Sequence, residues 1–208
     1  MAPSPLVLSA HPTAWNAVSG SGERLKDPAF TSSSCHYCEQ ALQGWREAYH
    51  LNDDHSDGRP ENIVSVCPLC HLPQHLNRST IDDEALLIWL PEMTQRAVIT
   101  LVRAAHLGLH GAGISPASNG VSPRRAPEAA RSAFATLTAL RGRSTRALEH
   151  LGTTSPRTLG AALLTLPPDS YSKRAARLAG IRLMPTGRLF AGSRDVYREM
   201  LQSWATTT

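Results

Sequence analysis

Residues 35–75 read CHYCEQALQGWREAYHLNDDHSDGRPENIVSVCPLCHLPQH. Two C-x-x-C pairs, Cys35/Cys38 and Cys67/Cys70, frame the stretch with 28 residues between them and use every cysteine in the chain. The thiolates of one such turn can point at a common ion about 2.3 Å away, and two turns complete a tetrahedral site. Disulfides are not expected in a cytosolic chain. A redox C-x-x-C needs only one pair beside a βαβ pattern, which the sequence lacks. Cys35, Cys38, Cys67 and Cys70 are therefore expected to bind one structural Zn2+, with no coordination position left for water or substrate. His36 follows a ligand directly and is expected beside the site or in solvent, not on the metal.

The flanks of this frame set the architecture. Leu6–Ala10 reads as a short strand and Pro12–Val18 as a short helix beginning at proline. Ala85–Leu90 is a continuous apolar run, suited to a buried strand and far too short to cross a bilayer. Proline 91 then marks a helix start, and EMTQRAVITLVRAAHLG places Met93, Val98, Leu101, Val102 and Ala105 at helical spacing, with Gly108 as its stop. The Gly/Ser/Pro-rich stretch from His110 to Pro127 predicts a flexible linker or loop. Four helical patterns follow. One runs from Pro127 to Leu140 and on to Leu151. Another runs from Pro156, capped by Ser155, to Leu166. The others cover Pro168–Ala179, before Gly180, and Arg194–Ala205, with Ser193 as cap. The expectation is an α+β chain: a small ββα zinc module with short strands over 1–109, a loop over 110–127 and a helical region over 128–208. The chain's 208 residues suffice for one sizeable core.

The N-terminal MAPSPLVLSAHPTAW has no basic flank and does not read as a signal peptide, so a cytoplasmic location is expected. The net charge of +4 hides an asymmetry: 7 Lys/Arg against 12 Asp/Glu over residues 1–120, but 14 against 5 over 121–208. A basic face can serve nucleic acid or an acidic partner. These arginines are spread over several helices rather than clustered, which favours a solubilising composition.

Histidines lie inside the cysteine frame. The stretch AYHLNDDHSDGRPENIVSVCPLCHLPQH resembles the ββα-metal module of HNH nucleases, with His50, Asn62, His71 and His75 at its motif positions. The resemblance implies that His50 acts as a general base on water attacking phosphate, with a cation held by His71 and His75 from one helical face. At the position before the base, where the family usually carries Asp, Glu or His as a metal ligand, this chain has Tyr49. A neutral phenol is a poor ligand for Mg2+-like ions. No catalytic residue is therefore expected, and His50, Asn62 and His71 are vestiges of the nuclease pattern. The alternatives are an active HNH endonuclease, a zinc-stabilised DNA-binding module, or histidines that merely pack. For His50 and His55, a solvated loop position is the simplest reading.

A further resemblance covers most of the length. LVLSAHPTAW, KDPAF at Lys26–Phe30, ENIVSVCPLC, LIWLPEMTQ at Leu87–Gln95, RLMPTGRLF at Arg182–Phe190 and the closing Trp204 are similar to the IcmJ (DotN) family of Dot/Icm-type IVB secretion systems. The resemblance implies a cytoplasmic adaptor of the type IV coupling complex, recruited to the inner membrane through that complex. It would bind the C-terminal extension of the VirD4-like coupling ATPase, DotL, beside other adaptors that recruit effectors. An acidic tail segment meeting arginines such as Arg124, Arg125 and Arg131 is the expected form of contact.

Overall fold

A computed structural model describes residues 5–10, 32–118 and 124–206. The helix expected over Pro12–Val18 and the Lys26–Phe30 stretch lie outside these residues. Strands β1 (Glu47–His50) and β2 (Ile63–Val66) form an antiparallel hairpin with Tyr49 opposite Val64 and His50 opposite Ile63. A 3-10 turn over Pro60–Asn62 feeds β2, whose Ile63, Val64 and Val66 suit an extended backbone. Cys67 then caps α1 (Pro68–His71), with proline at the first helical position, where its missing N–H costs nothing. Pro73 cannot donate to continue the α pattern. The chain tightens into a 3-10 turn over Leu72–Gln74, and His75 leaves helical conformation at φ −124°. His71 and His75 thus do not share one continuous α-helix, contrary to the expectation.

Next come α2 (Ile81–Glu84) and β3 (Ala85–Trp89), the apolar run, which is a strand as its composition predicts. Helix α3 (Gln95–Gly111) starts where the Thr94 hydroxyl accepts from Ala97 N–H, four residues beyond Pro91. It passes through Gly108 instead of stopping there. A Cβ at Gly108 would lie 3.5 Å from that of Ala133, so the glycine marks a close helix–helix approach. The C-terminal half is mostly helical: α4 (Glu128–Gly142), α5 (Ser144–Leu151), α6 (Pro156–Leu164), α7 (Pro168–Ser172), α8 (Arg174–Arg177) and α9 (Tyr197–Ala205). Ser155 caps α6 by accepting from Thr158 N–H, as its position predicts. The single helix expected over Pro168–Ala179 is two, broken at Lys173, and Arg174 at the head of α8 turns toward Ser9 and Asp53.

Between α8 and α9 the sequence signalled no strand. The structure places β4 (Ile181–Pro185) there, paired antiparallel with β3 so that Leu87 lies opposite Leu183. A short ribbon, β5 (Phe190–Ala191) with β6 (Arg194–Asp195), follows. It takes Arg194 out of the expected last helix, which begins at Tyr197 after Asp195 Oδ1 accepts from the Tyr197 and Leu189 N–H groups. The Leu6–Ala10 segment is tied down by one bridge, Ala10 to His75, and by Ser9 N–H donating to Pro73 C=O. The described fold is thus mixed helix and strand, with two-stranded ribbons and a helical C-terminal half.

Helix α3 lies between two buried clusters. Val98, Val102, Ala105 and Leu109 meet Ala130, Ala133, Leu137 and Leu140 of α4. Ile99 belongs to the other cluster, with the four cysteines and with Tyr197, Met200, Leu201 and Trp204 of α9. Among the described residues no helix is long and apolar enough to cross a membrane.

Candidate functional site

The two cysteine turns converge. In the first, Glu39 N–H donates to Cys35 C=O and Cys35 N–H to Gln40 C=O, with Glu39 itself at φ 60°. In the second, Cys70 and His71 N–H both donate to Cys67 C=O. A hydrogen bond from His36 N–H to Ser65 C=O links the first turn to β2, while the His36 side chain stays exposed. All four cysteines are buried and unbridged, and their sulfurs lie within 4.8 Å of one another. Cys38 Sγ and Cys67 Sγ are 3.7 Å apart. Two sulfurs each about 2.3 Å from one tetrahedral ion stand roughly 3.8 Å apart, so the donor set fits zinc.

Charge balance comes from an unexpected residue. Arg103 of α3 is buried, and its Nη1 donates to Cys38 Sγ at 2.9 Å. Its neighbour thiols, Cys35 first, and the Arg103 charge hold Cys38 well below the usual thiol range. A cationic donor on one sulfur offsets part of the negative charge that four thiolates place on a divalent ion. The helical spacing of 91–108 carries no sign of this role, which arises only where α3 packs against the Cys38 turn.

Beside the cysteine cluster, the structure gathers a second set of ligand atoms, from His55, His71 and His75, also within 4.8 Å of one another. His71 Nε2 and His75 Nε2 are 2.8 Å apart, and His71 Nδ1 is 2.7 Å from Glu47 Oε2. His55 stacks on His50 with ring centroids 4.2 Å apart. Burial is the leading reason that His50, His55 and His75 are harder to protonate than a free imidazole, with His55 lowered to about 4. These rings are therefore neutral at pH 7, the form that can bind a metal.

The nuclease-pattern residues take mixed positions. Tyr49 is buried, its ring edge-on to Tyr37 at 5.1 Å and 6.0 Å from that of His71. Burial pushes its phenol well above 10, so it stays neutral. Asn62 is a loop brace: its Oδ1 accepts from Asn52 N–H at 3.1 Å and its Nδ2 donates to Asp57 C=O at 2.9 Å. His50 is buried at the end of β1, not solvated, and its Nδ1 has no hydrogen-bond partner. His55 is half-buried, not a free loop residue. Its loop is held by Asp53, which accepts from Gln74 Nε2 at 2.8 Å and Ser9 Oγ at 3.1 Å and pairs with Arg174. No sequence spacing connects a loop histidine with a pair sixteen positions on, so composition gave no signal for it. No family model matches the chain, and no curated protein matches it.

Proposed function

We propose that the chain is a zinc-stabilised, non-hydrolytic adaptor of a type IVB secretion coupling complex, binding the C-terminal extension of a VirD4-like coupling ATPase. Its hairpin β1–β2 followed by α1 is read as an HNH-like ββα module whose Cys35, Cys38, Cys67 and Cys70 hold one structural Zn2+. The observation that carries the non-hydrolytic part is Tyr49. It occupies the position of the HNH family's first metal ligand as a buried, neutral phenol packed on Tyr37. The partner rests on the sequence resemblance, above all LIWLPEMTQ, whose Leu87–Trp89 portion lies in β3. Arg124, Arg125 and Arg131 are exposed and suited to an acidic tail.

The test is co-purification with a coupling-ATPase tail. Retention of the tail by the wild type, and its loss on charge reversal at Arg124, Arg125 and Arg131, supports the reading; no retention by the wild type sinks it. The unpartnered Nδ1 of His50 favours a second reading, an HNH endonuclease. Plasmid nicking with Mg2+ or Mn2+ that disappears in His50→Ala would establish that reading instead. DNA binding with a steep salt dependence would favour a nucleic-acid module.

A further inference from the structure

We propose that His55, His71 and His75 form a second cation site, separate from the cysteine cluster, for a borderline transition ion such as Zn2+, Co2+ or Ni2+. The sequence resemblance points only to His71 and His75; the third ligand, from the loop, comes from the geometry. The proposal does not depend on the adaptor reading.

Three observations carry it. First, His71 Nε2 and His75 Nε2 converge at 2.8 Å. Two imidazole nitrogens about 2.0–2.1 Å from one tetrahedral ion stand roughly 3.3–3.4 Å apart, so this pair needs about half an ångström of adjustment. Second, His71 Nδ1 is engaged by Glu47 Oε2 at 2.7 Å. That contact holds the His71 ring with its Nε2 turned toward His75, the carboxylate–histidine–metal arrangement that orients ligands. Third, both ring nitrogens of His55 are buried and make no hydrogen bond of good geometry, although Gln74 lies close enough to interact with the ring. Buried polar atoms are normally satisfied, and an unpaired one calls for a ligand.

The ligand chemistry selects the ion. Three imidazole ligands suit zinc, cobalt, nickel and copper, whereas Mg2+ and Ca2+ prefer oxygen. His55 lies on the Leu51–Asp57 side of the loop, and its nitrogen, at most 4.8 Å from the others, closes by no more than about 1.5 Å to complete the set. Three protein ligands leave a fourth position for water or an anion.

The experiment uses tag-free full-length protein dialysed against Co2+ after one equivalent of Zn2+ has been bound. Bound metal per chain is counted by mass spectrometry, alongside visible absorption. The wild type is expected to hold two ions, the second giving the weak d–d bands of nitrogen ligation. His55→Ala and His75→Ala should hold one, and retention of that first ion shows that the cysteine module is still folded. Glu47→Gln should keep the site with 10–100-fold weaker affinity, the usual loss for an outer partner. A wild type that binds one ion overturns the proposal. So does a second ion that survives in His55→Ala, or one lost in His36→Ala instead.

Discussion

Gly180 holds φ +89°, and a Cβ there would lie 2.5 Å from the Trp89 ring, which itself stacks on His150 at 3.9 Å. Left-handed backbone costs a non-glycine residue about 1–2 kcal/mol, and overpacking adds about 1–3 kcal/mol. Gly180→Ala is therefore expected to lower unfolding free energy by about 2–5 kcal/mol in urea titrations; a loss of only about 1–2 kcal/mol would mean that Trp89 simply moves aside and the backbone cost alone remains. His106 offers a pH test. It is fully buried, its Nδ1 shares a 2.5 Å hydrogen bond with the Tyr197 hydroxyl, and burial, then the Arg141 charge, lowers its pKa from 6.5 to about 3. The fold prefers the neutral ring, so its contribution is present above pH 6.5 and is lost as pH falls toward 3. Between pH 7 and pH 5 the wild type should lose about 2 kcal/mol more than His106→Asn; equal losses would show that His106 titrates normally. At this scale the cysteines were legible because spacing alone encodes their chemistry. His55, Arg103 and Glu47 were not, because their roles arise from elements brought together by the fold.

The loop between β1 and β2 is the element on which the histidine cluster depends. Asn62 closes it from within by gripping Asn52 N–H and Asp57 C=O, while Asp53 ties it outward to Ser9, Gln74 and Arg174. Asn62→Ala removes both side-chain bonds and leaves the Leu51 N–H to Asn62 C=O bond in place. A cost of about 1–3 kcal/mol is expected, with at least tenfold faster hydrogen exchange at Asn52 and unchanged exchange in α3. Exchange that quickens equally in both would show global destabilisation instead of a loosened loop. Element signals with local chemistry were readable: Ser155 and Pro156 open α6, and Gly152 ends α5 at φ 72°. The β3–β4 pairing was not, since nothing near Ile181–Pro185 names a partner almost a hundred residues earlier. A local hairpin explains the shortened α9: Arg194 pairs with Ala191 in the β5–β6 ribbon, and the Asp195 carboxylate takes the Leu189 and Tyr197 N–H groups at the helix start.

Seen across the whole chain, the residues before and after 110–127 share their interior. β4 completes the ribbon begun by β3, and α9 supplies Tyr197, Met200, Leu201 and Trp204 to the cluster that contains all four cysteines. The Cys38 turn is held from α3 by Arg103, and α3 carries α4 on its other face. Loss of the proposed zinc would therefore be transmitted through α3 and α9 rather than confined to residues 35–75. Structural zinc contributes on the order of 10–16 kcal/mol in small metal-folded peptides, as much as or more than the roughly 5–15 kcal/mol that holds an ordinary domain together. Removing it by chelation, or substituting Cys67→Ser, should collapse α9 and α4 along with the module. Far-UV circular dichroism, which reports the helices, and tryptophan fluorescence, to which Trp204 buried on α9 contributes, should change together in one transition as chelator is added. Crowding adds to the effect: without the ion, four buried sulfurs within 4.8 Å of one another lose the bonds that tie the two turns together. Helices α4 to α6 that keep their ellipticity in the zinc-free protein would refute this coupling and show two units that fold independently.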